Sequence, residues 1–195
     1  MTASSSAETS PSHAPSVWVE SMGGPLVVVP VSALAAWRGC TDTGIIVGDG
    51  TVPDDYDRAC AVDDLAGLIP VGKGGAHALV LGDEPSTTCY LPEHRAFLRW
   101  LAADSDAELK AAAETVLRDP ATSWEECGTW TVDGPAVLMD SADAGADLGA
   151  EYPSGGTPEE SAVPLVAGSW RVRAVHTKAG EHNWVGVVQL LPIGV

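Results

Sequence analysis

The chain has 195 residues, 45% of them hydrophobic, with 10 Lys+Arg against 27 Asp+Glu, a formal net charge of −17. That length and apolar content suit one ordinary domain, or two small halves sharing a core, and exclude a chain that is disordered throughout. The charge disfavours direct contact with nucleic acid, whose phosphates need cations, and speeds encounter with a basic protein; an acidic bias of the host proteome would produce the same balance.

Residues 1–16 are rich in Ser, Ala, Thr and Pro and carry no Lys or Arg. They lack the basic and apolar regions of a signal peptide, and no apolar run approaches the roughly 20 residues that span a bilayer. The expectation is a disordered tail on a cytoplasmic protein that does not bind membrane. Residues 17–20 and 26–29 read as strands joined by Gly23-Gly24-Pro25. The glycines permit angles that side chains forbid, and the proline fixes φ as the next segment begins. Leu26 to Val29 has no polar face, which suits a strand buried on both sides.

Ser32 is placed to cap a short helix over about 32–38 that stops at Gly39. Residues 41–53 read as a loop, with 45–47 a candidate short strand, and 54–60 as a helical turn with carboxylates at its positive end. Strands are expected at 67–71, 76–81 and 87–91, the first pair turning through residues 72–75 and the second through 82–85. The run 97–101 is an apolar strand with Arg99 inserted. Ser105 and Glu108 have the spacing of a capping box, and Leu109, Ala113, Val116 and Leu117 share one face of a helix over 105–118 that Pro120 ends.

Beyond it, 129–132 and 136–139 flank a second Gly-Pro turn at Gly134-Pro135. Residues 141–161 form a Gly/Ala/Ser/acid-rich loop long enough to be mobile or functional, within a stretch that has ten acids and no base between Arg118 and Arg171. A long hairpin pairs 169–177 with 183–191. The fold class is α+β: β-rich, mostly antiparallel sheets, one well-defined helix and one short one. Trp18 ahead of Gly24-Pro25 and Trp130 ahead of Gly134-Pro135 suggest two related β halves, 17–104 and 121–195, joined by the 105–118 helix within a domain over 17–195.

The catalytic templates are missing: there is no GxSxG, HExxH, phosphate-binding loop or dinucleotide fingerprint. Cys40, Cys60, Cys89 and Cys127 are irregularly spaced, which points to reduced, mainly buried thiols and away from zinc. His176 and His182 flank the last hairpin, and two histidines alone make a poor metal site. Six of the seven tryptophans fall in predicted strands or at a helix end and belong to a core; an exposed one beside carboxylates would mark a binding surface. The acidic cluster Asp54, Asp55, Asp57, Asp63 and Asp64, with Tyr56 and Arg58 within it and the Asp83-Glu84 turn after it, has two readings. It is a solvated face that meets a partner, with Tyr56 and Arg58 as anchors, or an oxygen site for a divalent cation, although it lacks the ligand spacing of a calcium loop.

In order along the chain, Trp18-Val-Glu-Ser, Gly23-Gly-Pro-Leu, Trp37-Arg-Gly39, Asp55-Tyr-Asp-Arg-Ala-Cys-Ala-Val62, Gly67-Leu-Ile-Pro-Val-Gly72, Ala78-Leu-Val-Leu-Gly-Asp-Glu-Pro85 and Arg99-Trp100 resemble the immunity protein 21 family. The resemblance spans most of 17–192, is densest over 17–101 and is weakest over 141–161. Members of that family are predicted antidotes in bacterial polymorphic-toxin systems, defined largely by gene neighbourhood. The resemblance implies a non-enzymatic inhibitor without cofactor or metal, whose partner is a cognate toxin, basic and of a kind that includes nucleases. The residues offered for contact are Asp54, Asp55, Tyr56, Asp57, Arg58, Asp63, Asp64, Asp83 and Glu84. The alternative is an accessory domain that binds a small molecule or divalent metal through the Asp-rich segment, and a further one is an enzyme with paired acids in a deep cleft.

Overall fold

The computed structural model describes residues 16–82, 84–180 and 182–194. The expected tail over 1–16 therefore lies almost wholly outside the described residues, as does Asp83. The strands are β1 (Trp18–Val19), β2 (Leu26–Pro30), β3 (Gly67–Val71), β4 (Ala76–Leu81), β5 (Thr88–Leu91), β6 (Ala96–Ala102), β7 (Glu125–Val132), β8 (Ala136–Asp140), β9 (Glu160–Val163), β10 (Gly168–Lys178) and β11 (Trp184–Pro192). Two α-helices, α1 (Asp55–Cys60) and α2 (Asp106–Arg118), complete the fold with a 3-10 helix over Val31–Ala36.

A six-stranded sheet runs β1-β5-β6-β11-β10-β7 and a five-stranded one β3-β4-β2-β8-β9, antiparallel at every pairing. Read outward from the middle of each sheet, β6-β5-β1 is answered by β11-β10-β7, and β2-β4 by β8-β9, with β3 added at one edge.

Alternation along the strands sorts side chains into three cores. Leu26 and Val28 of β2 point into the space between the sheets with Leu79, Phe97, Trp130, Leu138, Trp170 and Val188. Val27 and Val29 point the other way, against Trp37, Ala59, Val71, Val80 and Met139. The apolar run of β2 is thus buried on both faces. On the outer side of the six-stranded sheet, Leu109, Ala113 and Val116 of α2 cover Cys89, Leu98, Val185 and Val187. Each fully buried Val, Leu, Phe or Met side chain among them contributes about 1.5–3 kcal/mol of transfer free energy. Trp130 is fully buried and its Nε1–H donates to the His77 carbonyl at 2.8 Å, tying the edge of one sheet to the other.

The Gly23-Gly24-Pro25 turn joins two strands that do not pair with each other: β1 pairs with β5, and β2 pairs with β4 and β8. It carries the chain from one sheet to the other, as Gly134-Pro135 does between β7 and β8. Gly24 leaves no room for a side chain, since a Cβ there would lie 2.4 Å from the Tyr56 ring. The 82–85 turn is likewise a crossing. Buried Arg99 fixes it by donating from both terminal nitrogens, to the carbonyls of Gly82 and Glu84.

The short helix is 3-10, over Val31–Ala36, and starts at Pro30 without a side-chain cap; the Ser32 hydroxyl donates to Asp133 instead. Residues 45–47 form no strand. The strand β9 begins at Glu160, within the last two residues of the stretch read as loop. The rest of that stretch is docked, with Gly145 N–H donating to the Trp37 carbonyl at 2.9 Å, Cys40 N–H to Ala142 at 2.9 Å and Trp37 Nε1–H to Ser141 at 3.2 Å. Of the cysteines, all free, Cys89 alone is fully buried and the other three are half-buried.

Candidate functional site

The acidic run 54–57 starts α1, and its carboxylates turn inward. Asp54 is the N-cap: Oδ1 accepts the Asp57 N–H at 2.8 Å, and Asp57 Oδ2 accepts the Asp54 N–H at 2.9 Å, a reciprocal capping box. The same groups also hold the preceding loop. Asp54 Oδ2 accepts from the Thr41 N–H at 2.7 Å and its hydroxyl at 3.1 Å. Asp57 accepts the Ile45 N–H on Oδ2 at 2.7 Å and the Ile46 N–H on Oδ1 at 2.9 Å. Asp55 is buried, accepts the Arg38 N–H at 2.6 Å and pairs with Arg58.

Burial alone would raise the Asp57 pKa; the N–H donors of Ile45, Asp54 and Ile46 overcome it and hold the carboxyl below its ordinary value. Each oxygen of Asp54 and Asp57 thus already accepts at least one hydrogen bond from the protein. Among the described residues no group of three His, Cys, Asp or Glu side chains is placed to hold a metal ion.

The two candidate anchors are also used internally. Tyr56 is half-buried against Gly24, and its hydroxyl is pushed up to about 12 by burial and by its hydrogen bond with Cys60. The Arg58 guanidinium, besides Asp55, reaches the Pro70 carbonyl at 3.3 Å. Asp63, Asp64 and Glu84 are exposed. The structure puts the 62–65 turn against the sheet crossing: Gly82 N–H donates to the Leu65 carbonyl at 3.1 Å, and a Cβ on Gly82 would lie 2.2 Å from the Asp64 carbonyl. The nine candidates thus divide into an inward group at 54–58 and an outward group at 63, 64 and 84, with Asp83 outside the described residues.

What Asp54 and Asp57 hold is the 41–53 loop. It is closed by backbone bonds from Gly44 to Thr41 at 3.1 Å, Asp49 to Asp42 at 3.0 Å and Gly50 to Gly44 at 3.1 Å. It is packed so tightly that a Cβ on Gly50 would lie 1.8 Å from the Thr43 carbonyl oxygen, and one on Gly44 2.2 Å from Asp54 Oδ2. At its surface stand Ile45, Ile46, Val47 and Val52, exposed together with Asp42 and Asp49. Sequence reasoning saw in 45–47 only a candidate strand; the signal for its real role was the Asp54-x-x-Asp57 spacing directly after a glycine-rich segment. An open recess of about 220 Å3 beside the loop is lined by Arg38, Thr41, Val52, Asp54 and Arg58, smaller than the roughly 300–1,000 Å3 of small-molecule sites.

Elsewhere, Trp184 is the exposed tryptophan, at 45%, and its ring lies under Lys178 with Nζ 5.1 Å from the centroid. His176 Nε2 lies 3.3 Å from the Arg99 guanidinium, and no described helix is long and apolar enough to cross a membrane.

The Immunity protein 21 family model matches residues 17–183, and the chain belongs to that family. No curated protein and no solved structure matches the chain.

Proposed function

We propose that this protein is a cytoplasmic immunity protein that neutralises a cognate bacterial toxin by binding it directly, one to one, without catalysis. The observation that carries this reading is the family match over 17–183. The charge supports it: a field of −17 attracts a basic toxin, nucleases included, raising the encounter rate while buried contacts set the dissociation rate. The exposed carboxylates Asp63, Asp64 and Glu84 form the acidic part of the contact surface. Asp54 and Asp57 serve recognition from beneath by fixing the 41–53 loop, and Asp55, Tyr56 and Arg58 brace the helix that carries them.

Co-expression with the toxin domain encoded beside this gene tests the reading. Restored growth supports it. Killing that continues although both proteins accumulate in soluble form would refute it.

A further inference from the structure

Among the described residues, four of the ten exposed large apolar side chains fall within eight consecutive positions: Ile45 at 50%, Ile46 at 55%, Val47 at 68% and Val52 at 69%. These side chains add little to the cores. Isolated surface hydrophobics need no explanation, but a contiguous group on one loop marks an interaction surface. The loop is also held for display: Asp57 takes the N–H groups of Ile45 and Ile46, Asp54 takes that of Thr41, and the 41–50 backbone closes on itself. A loop fixed in this way loses little conformational entropy when it docks, so its contact energy goes into affinity.

We propose that the 44–52 loop is the anchor of the toxin interface, an apolar knob that inserts into an apolar recess rimmed by Lys and Arg on the toxin. The proposal rests on the immunity reading and names the surface through which it works. Complementarity selects the occupant. Exposed Asp42 and Asp49 flank the apolar residues, so a fitting recess carries cations at its rim. A second copy of this chain would bring two bodies of charge −17 together at these same carboxylates, and an anionic lipid surface would be repelled in the same way. The knob supplies the close apolar contact that governs dissociation, and the surrounding carboxylates supply the steering that governs association.

The test is binding kinetics on the immobilised toxin domain encoded beside this gene, comparing the wild-type chain with an Ile46→Ser/Val47→Ser variant. Both changes are at exposed side chains and leave the Ile46 N–H in place for Asp57, so the thermal midpoint stays at the wild-type value. Val47→Ser alone is the fallback if the double variant melts early. The expected result is a dissociation rate at least about tenfold faster with association within about twofold of wild type, whereas Asp42→Asn/Asp49→Asn slows association and leaves dissociation unchanged. Wild-type binding with an unaltered dissociation rate in the serine variants would overturn the anchor and leave the immunity reading standing. A wild-type dimer that the serine variant dissociates would overturn it in favour of a second copy as occupant. No binding by the wild-type chain would overturn the immunity reading itself and the anchor with it.

Discussion

Replacing Asp54 with Ala removes three hydrogen bonds at once: the cap on Asp57 N–H at 2.8 Å, and the tethers to Thr41 N–H at 2.7 Å and Thr41 Oγ1 at 3.1 Å. Loss of an N-cap costs about 1 kcal/mol. A backbone N–H that donates to a carboxylate adds about 1.5–3 kcal/mol, and the half-buried Thr41 hydroxyl, free to rehydrate, adds little. The expected destabilisation is about 3 kcal/mol, which for a chain of this length lowers the thermal midpoint by roughly 6–12 °C. Urea titration should show the loss as a lower midpoint at an unchanged slope. Asp54→Asn separates the two functions: its remaining oxygen keeps the cap, its amide cannot accept from Thr41, and roughly half to two-thirds of the loss should persist. Asp63→Ala, at an exposed carboxylate, should stay within about 0.5 kcal/mol of wild type. A loss at Asp54 no larger than that would refute the reading of the run 54–57 as a fastener for the 41–53 loop.

The Asp57 carboxyl titrates below its unfolded value, so its contribution is complete above about pH 4 and is lost as pH falls through the lower folded value. The midpoint gap between wild type and Asp57→Asn should therefore be constant from pH 7 to 5 and narrow below about 4. Asp143 has the opposite sign: burial raises its pKa, the Tyr152 hydroxyl opposes this, and Asp140 and Asp147 add to the rise. Its charge is a penalty above the folded pKa that vanishes below the unfolded one, so Asp143→Asn should melt higher than wild type at pH 7 and lose that advantage on acidification; a lower midpoint at pH 7 would contradict this. Arg99→Met removes both donors from the carbonyls of Gly82 and Glu84, and about 2–4 kcal/mol of stability should go with them, read by the same urea titration.

How much of this was legible depends on which residues carry information locally. The α2 helix was, because Ser105 takes the Glu108 N–H at 3.2 Å and the apolar spacing points one face at a sheet. The strand β2 was, since four apolar residues in a row can only be buried on both faces. The Gly-Pro turns were located correctly, but the same residues serve a hairpin and a crossing between sheets, and only tertiary pairing separates the two. The strand β9 was hidden because its four residues bury only Ser161 and Val163, too short an alternation to stand out in an acidic stretch.

At the site, composition exposed the carboxylates and concealed their direction. Asp54, Asp55 and Asp57 look like a charged face in sequence, yet the glycine-rich loop before them supplies more N–H donors than its own backbone can satisfy, and those donors draw the carboxylates inward. Three consecutive β-branched residues at 45–47 have the propensity of a strand. Their outward position follows from Asp57 taking the N–H groups of Ile45 and Ile46, which removes them from any ladder.

The central claim is direct stoichiometric binding driven by an acidic surface, and titration calorimetry against the toxin domain encoded beside this gene tests it most directly. Run at two salt concentrations, it should give one site per chain and a Kd that rises with ionic strength as the field is screened. Absence of heat at either concentration, or a Kd indifferent to salt, would contradict the account.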